Sequence, residues 1–203
     1  MIRTLHVPVR RVHLAFIALA SAAVLLDACA AAVASTPAPR VATRTVYLVR
    51  HAEKAAEPAA DPSLTAAGQA RAQALAASLA DAGVRSILTT QLLRTRETAR
   101  PLAERLSLTP LVVGVSGAAR DHAMAVAEAV RAQADGSVLV VGHSNTVPLI
   151  IEALGGPAMP AICDAAYANL YVLQLTGDGK ATLARTEYGA RSPSTRECPG
   201  MSP

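Results

Sequence analysis

Two periodicities alternate along the chain. Short apolar runs rich in Val, Ile and Leu predict strands over residues 45–49 (TVYLV), 86–90 (SILTT), 111–115 (LVVGV), 137–142 (SVLVVG), 169–175 (NLYVLQL) and 181–188 (ATLARTEY). Between them, apolar positions recur at helical spacing and predict helices over 66–82, 93–107, 119–134 and 147–154. Thr65 is placed to cap the first of these and Gly83 to stop it. Pro101 lies inside the second and predicts a kink or break there, because proline lacks the N–H that an interior helical position donates. The run at 137–142 is apolar throughout, as expected of a strand covered on both faces of a parallel sheet. The last two strands are joined by Thr-Gly-Asp-Gly-Lys and predict a hairpin. Strand–helix alternation followed by a hairpin predicts an α/β domain of three layers (α/β/α), its sheet mostly parallel.

Ahead of this domain the pattern changes. Residues 1–11 are basic, 14–26 (LAFIALASAAVLL) are an apolar run, and DACAAAVAS follows with small side chains. That order is the n-region, h-region and cleavage region of a secretory leader. The run is shorter than the roughly 20 residues of a membrane span. Two endings compete: an A-x-A cleavage at Ala32-Val33-Ala34, giving a signal peptide over 1–34, or a lipoprotein signal ending before Cys29. A lipid on Cys29 is the only membrane attachment expected. Either ending predicts export, to the periplasm or to a lipid-anchored position in a bacterial envelope. Residues 35–43 read as a Pro-rich tether, 44–190 as the domain and 191–203 as a tail.

Composition narrows the function. Of 203 residues, 52% are apolar and 17% charged, which excludes a disordered chain. Aromatics are 2% and the net charge of +4 is scattered, so neither stacking platforms nor a basic stripe for nucleic acid is expected. There is no HExxH motif and no tight His/Cys/Asp cluster, so no metal is expected. Once Cys29 is removed or lipidated, Cys163 and Cys198 remain, an even number for an oxidising compartment. A disulfide between them would close a loop of about 36 residues, worth roughly 3–4 kcal/mol.

The chemistry gathers at the carboxyl ends of predicted strands, where open parallel sheets bind ligands. The first strand runs into Arg50-His51-Ala52-Glu53-Lys54, the second through Thr89-Thr90 towards Arg94, and the fourth into Gly142-His143-Ser144-Asn145-Thr146. Two histidines and two arginines in one crevice suit a phosphoryl group: guanidinium forks match its oxygens, and a neutral imidazole can attack phosphorus. A G-x-S-x-G nucleophile elbow is excluded at 142–146, since the fifth residue is Thr146 and no histidine follows Ser144.

YLVRHAEK, SLTAAGQARAQALA, LLRTRETA and VVGHSNTVP stand in the order and spacing of the histidine phosphatase superfamily, also called phosphoglycerate mutase-like. The resemblance covers residues 44–188 and is nearest to small bacterial phosphatases of the protein-phosphohistidine type. It implies a cofactor-independent phosphatase acting on phosphomonoesters or protein phosphohistidine through a phosphohistidine at His51. Arg50, Arg94 and His143 would form its phosphate pocket, with Asn145 as a further substrate contact. Its substrate would be a phosphorylated small molecule or a phosphoprotein. For the proton given to the leaving group, Glu53 is the first candidate and Asp121 the alternative. His122 is expected on a helix surface. The competing non-enzymatic reading is an exported phosphate-ligand-binding protein that keeps the pocket but lacks turnover.

Overall fold

The computed structural model describes residues 43–192. The expected leader at 1–34, Cys29, the tether up to residue 42, and the tail from residue 193 with Cys198 lie outside the described residues. Within them the chain runs β1 (Thr43–Arg50), α1 (Ala66–Leu79), β2 (Val84–Thr89), α2 (Leu93–Leu106), β3 (Leu111–Val112), α3 (Ala119–Arg131), β4 (Ser137–Gly142), α4 (Thr146–Ala153), β5 (Asn169–Thr176) and β6 (Ala181–Glu187).

One six-stranded sheet has the order β3-β2-β4-β1-β5-β6. The first four strands are parallel; β5 and β6 add antiparallel, as the predicted hairpin requires. Strand pleating splits the core between the two faces. On β1, Val46 and Leu48 join Val138 and Val140 of β4 against α3 and α4. Val49, with Leu139 and Val141, faces the other way, against Leu75 and Leu79 of α1 and Leu102 of α2. The apolar run of β4 is thus explained: both of its faces are covered by helices. Each fully buried Val or Leu contributes about 1.5–3 kcal/mol.

Local chemistry accounts for most element ends. The Thr65 hydroxyl accepts from the Gly68 N–H at 3.1 Å and caps α1, worth about 1 kcal/mol. Leu92 cannot cap α2 with its own side chain, and the Leu93 N–H instead donates to Asp61 Oδ1 at 2.8 Å. Two expectations are corrected. α2 continues unbroken through Pro101, its inward residues Thr98, Ala99, Leu102 and Ala103 being buried on both sides of the proline. The strand expected over 111–115 is only Leu111–Val112, both about half exposed. It is an edge strand whose one neighbour, β2, ends at Thr89 opposite Val112, so no ladder partner exists beyond it.

Candidate active site

Because β1 and β4 are adjacent and parallel, with Arg50 opposite Gly142, the residues following each strand emerge side by side. The His51 N–H donates to the Gly142 carbonyl at 2.9 Å, extending the ladder past the strand end. The rings of His51 and His143 consequently meet edge to face, centroids 5.5 Å apart. Both residues are buried, 4% and 8% exposed.

His51 Nδ1 lies 2.8 Å from the Ala52 carbonyl. A carbonyl only accepts, so Nδ1 carries the hydrogen and Nε2 keeps its lone pair. Burial lowers the His51 pKa to about 4 despite that bond, helped by the positive charges of Arg50, Arg94 and Lys54. Burial, His51 and Arg94 lower that of His143 to about 3. At neutral pH both imidazoles are uncharged, and His51 Nε2 is a free nucleophile.

Arg50 is buried beneath the segment that precedes β5. Its Nη1 donates to the carbonyls of Cys163 and Asp164 at 3.0 and 2.9 Å, and its Nη2 to the Asp164 carboxylate at 3.2 Å and the Tyr167 hydroxyl at 3.4 Å. The Tyr167 ring also lies under the guanidinium, 4.3 Å from centroid to carbon, and 6.4 Å from the His51 ring. Arg94 projects from the first turn of α2, with burial lowering its pKa, Asp61 opposing that effect and Arg50 reinforcing it. Among the described residues, four buried side-chain nitrogens have no hydrogen-bond partner in the protein; three are Arg50 Nε, Arg94 Nε and His143 Nδ1. Buried polar nitrogens without partners are costly; two of these three are guanidinium N–H donors, and with the two imidazoles they match the oxygens of a tetrahedral oxyanion.

A web of backbone contacts holds the loop after His51. The Ala52 N–H donates to Thr98 Oγ1 at 2.9 Å, Thr65 N–H to the Glu53 carbonyl at 2.9 Å, and Leu64 N–H to Glu97 Oε2 at 2.7 Å. Gly68 lies so close to this loop that a Cβ there would stand 2.2 Å from the Glu53 carbonyl oxygen.

Several expectations need correction. Glu53 does not stand ready as a proton donor: both of its carboxylate oxygens accept from Arg71 Nε at 2.9 Å, and Oε1 also from Nη2 at 2.8 Å. Burial raises its pKa, but the Arg71 bonds outweigh this and hold it below the ordinary carboxylate value. Asn145 is exposed and caps nothing with its side chain. The Thr146 hydroxyl, in the first turn of α4, accepts from the His143 N–H at 3.0 Å. Asp121 is exposed in the first turn of α3. His122 is buried rather than on the helix surface, its Nδ1 3.2 Å from the Gly114 carbonyl. The bridge expected between Cys163 and Cys198 involves a residue outside the described ones; the Cys163 carbonyl accepts from Arg50 Nη1 at 3.0 Å.

Sequence reading missed Tyr167, Arg71 and Asp61 as parts of this site. Tyr167 lies in an irregular segment with no motif to mark it. Arg71 sits on an Ala-rich helix where an isolated charge reads as solvated, whereas it is 5% exposed.

Residues 46–113 match the model of the histidine phosphatase superfamily, branch 1. Among solved structures, the protein histidine phosphatase SixA complexed with tungstate is 20% identical, with a TM-score of 0.57 over 70% of this chain and 96% of the other. An α-ribazole-5′-P phosphatase assigned in Escherichia coli str. K-12 is 18% identical, TM-score 0.55, over 75% and 99%. A mycobacterial glucosyl-3-phosphoglycerate phosphatase is 18% identical, TM-score 0.52, over 73% and 100%. A search of curated proteins gave no match. The matched segment carries three of the four motifs, through LLRTRETA, and the domain as a whole has the α/β fold of the phosphoglycerate mutase-like histidine phosphatases.

Proposed function

We propose that the protein is a phosphatase that works through a phosphohistidine on His51. The observation that carries this reading is the trio of partnerless buried nitrogens, Arg50 Nε, Arg94 Nε and His143 Nδ1, together with a His51 ring nitrogen whose lone pair is free. In the first step His51 Nε2 bonds to phosphorus while the bond from phosphorus to the leaving group breaks, its electron pair departing with that group. The two guanidinium N–H groups and the His143 ring take the non-bridging oxygens, whose charge they stabilise without reorganising. In the second step water attacks phosphorus, the N–P bond breaks, and inorganic phosphate leaves with the imidazole again neutral.

With Glu53 held ionised by Arg71, Asp121 is the remaining proton donor of the two that the sequence suggests. Substrates whose leaving group needs little help from an enzyme acid fit this site best: aryl phosphates, which release an acidic phenol, and a phosphohistidine whose second ring nitrogen already carries a proton, so that it departs as neutral imidazole. A phosphorylated small molecule and a phosphoprotein both satisfy that chemistry. The leader read from residues 1–34 supports a position in the bacterial envelope as part of this proposal, and fractionation of cells expressing the full chain tests it.

Purified protein assayed with an aryl phosphate and with a phosphohistidine peptide tests the activity. The expected result is turnover abolished by His51→Ala and lowered roughly 10²-fold or more by Arg94→Ala, as for loss of a preorganised donor. Binding of phosphate without turnover of either compound would support a ligand-binding protein instead.

A further inference from the structure

Thr90 follows β2 and is buried directly against His143, its Oγ1 lying 3.3 Å from His143 Nε2 and 2.9 Å from Thr95 Oγ1. The hydrogens in this group can be assigned by elimination. Thr95 Oγ1 is 2.8 Å from the Leu92 carbonyl and 3.2 Å from that of Thr90. Carbonyls only accept, so the single hydrogen of Thr95 goes to one of them. The Leu92 N–H points at Thr90 Oγ1 at 3.3 Å and uses one of its lone pairs. The single hydrogen of Thr90 then has two takers, Thr95 Oγ1 and His143 Nε2.

Each choice fixes a different tautomer of His143. If Thr90 donates to Nε2, the ring hydrogen sits on Nδ1, the nitrogen without a partner in the protein. If Thr90 donates to Thr95, Nε2 must carry the hydrogen to bond Thr90, and Nδ1 presents a lone pair. A lone pair facing a phosphoryl oxygen is repulsive, whereas an N–H there stabilises it. Because His143 is neutral at physiological pH, it has one hydrogen to place and the choice matters.

We propose that Thr90 is a positioning residue for His143: by donating its hydroxyl hydrogen to Nε2, it holds the imidazole in the Nδ1–H tautomer that gives a hydrogen bond to the phosphoryl group. The inference rests on the phosphatase reading for its kinetic consequence, but not for the tautomer itself. Thr95 supports it by spending its own hydrogen on a carbonyl and leaving that of Thr90 free to turn.

Long-range 1H–15N correlation spectra of ring-labelled histidines, recorded with tungstate bound as an inert phosphate analogue, report the tautomer. The wild-type protein is expected to show His143 with hydrogen on Nδ1. Thr90→Val keeps the shape and removes the hydroxyl; it should shift His143 towards Nε2–H or a mixture and lower kcat by about 10-fold or more, with KM changing less. Thr90→Ser restores the hydroxyl and should recover both signals. If Val is not tolerated by the fold, Thr90→Ala removes the same hydrogen without adding bulk. An unchanged Nδ1–H signature in Thr90→Val or Thr90→Ala, or a Thr90→Ser protein as impaired as these, would overturn the proposal. A wild-type protein that turns over no phosphate compound, yet shows the tautomer change, would sink the phosphatase reading and leave the role of Thr90 standing.

Discussion

Arg71 clamps the carboxylate of Glu53 with three hydrogen bonds, and its remaining nitrogen, Nη1, donates to the carbonyls of Tyr188 and Ala190 at 3.1 and 2.9 Å. One buried guanidinium thereby ties together the loop after His51, helix α1 and the chain leaving β6. Glu53 is two residues from His51, and its carboxylate is spent on Arg71, anchoring the backbone next to that histidine.

That role predicts a distinct response to mutation. Glu53→Gln should slow alkyl and aryl phosphates to the same degree, whereas loss of a proton donor penalises poor leaving groups selectively. Glu53→Ala strands a buried guanidinium and should cost on the order of 3 kcal/mol in urea denaturation. If Glu53→Gln instead selectively slowed alkyl phosphates, Glu53 would be the acid after all. Asp121→Asn in the same assay asks whether that function lies on α3.

The buried histidines predict how stability depends on pH. Burial, above all, depresses the folded pKa of His51 from 6.5 to about 4 and that of His143 to about 3. The unfolded chain therefore binds protons between pH 6.5 and 4 that the folded one does not, and stability falls as pH drops through that window. His51 alone accounts for roughly 3 kcal/mol of this loss. The two rings face each other, so their contributions are not additive. Urea midpoints at pH 7.5, 6 and 5 should fall steeply in the wild type and less so in a His51→Gln/His143→Gln protein. Equal slopes in the two proteins would contradict the account.

Much of the fold was legible because its signals are local. The apolar runs at 137–142 and 169–175 mark strands whose neighbours cover them as expected, and Thr65 caps α1 by the predicted bond. The four clustered residues Arg50, His51, Arg94 and His143 were legible for a different reason: strand ends place them, and strand order is a property of the alternation. What sequence could not reveal depends on contacts between distant segments. Tyr167 and the Cys163 carbonyl reach Arg50 from 113 or more residues away. The partner of Glu53 is neither neighbour, Lys54 nor Arg50, but Arg71, one helix further on. Pro101 reads as a breaker locally, and packing of α2 on both sides of it overrides that preference.

Gly68 offers a test of how tightly the nucleophile loop is held. A Cβ at this position meets the backbone of Glu53, which cannot swing aside as a flexible side chain would. Gly68→Ala should destabilise the domain by roughly 1–3 kcal/mol, although alanine is the better helix former. It should also lower kcat by displacing His51. A stabilised Gly68→Ala protein would show that α1 does not approach the loop this closely.

The central claim is that phosphate passes through His51, and rapid-quench trapping measures it most directly. Enzyme mixed with a 32P-labelled aryl phosphate and quenched in base within the first turnover should carry label that is acid-labile and base-stable. Peptide mapping should locate that label at His51, and His51→Ala should carry none. Label at another residue, or turnover undiminished in His51→Ala, would contradict the account.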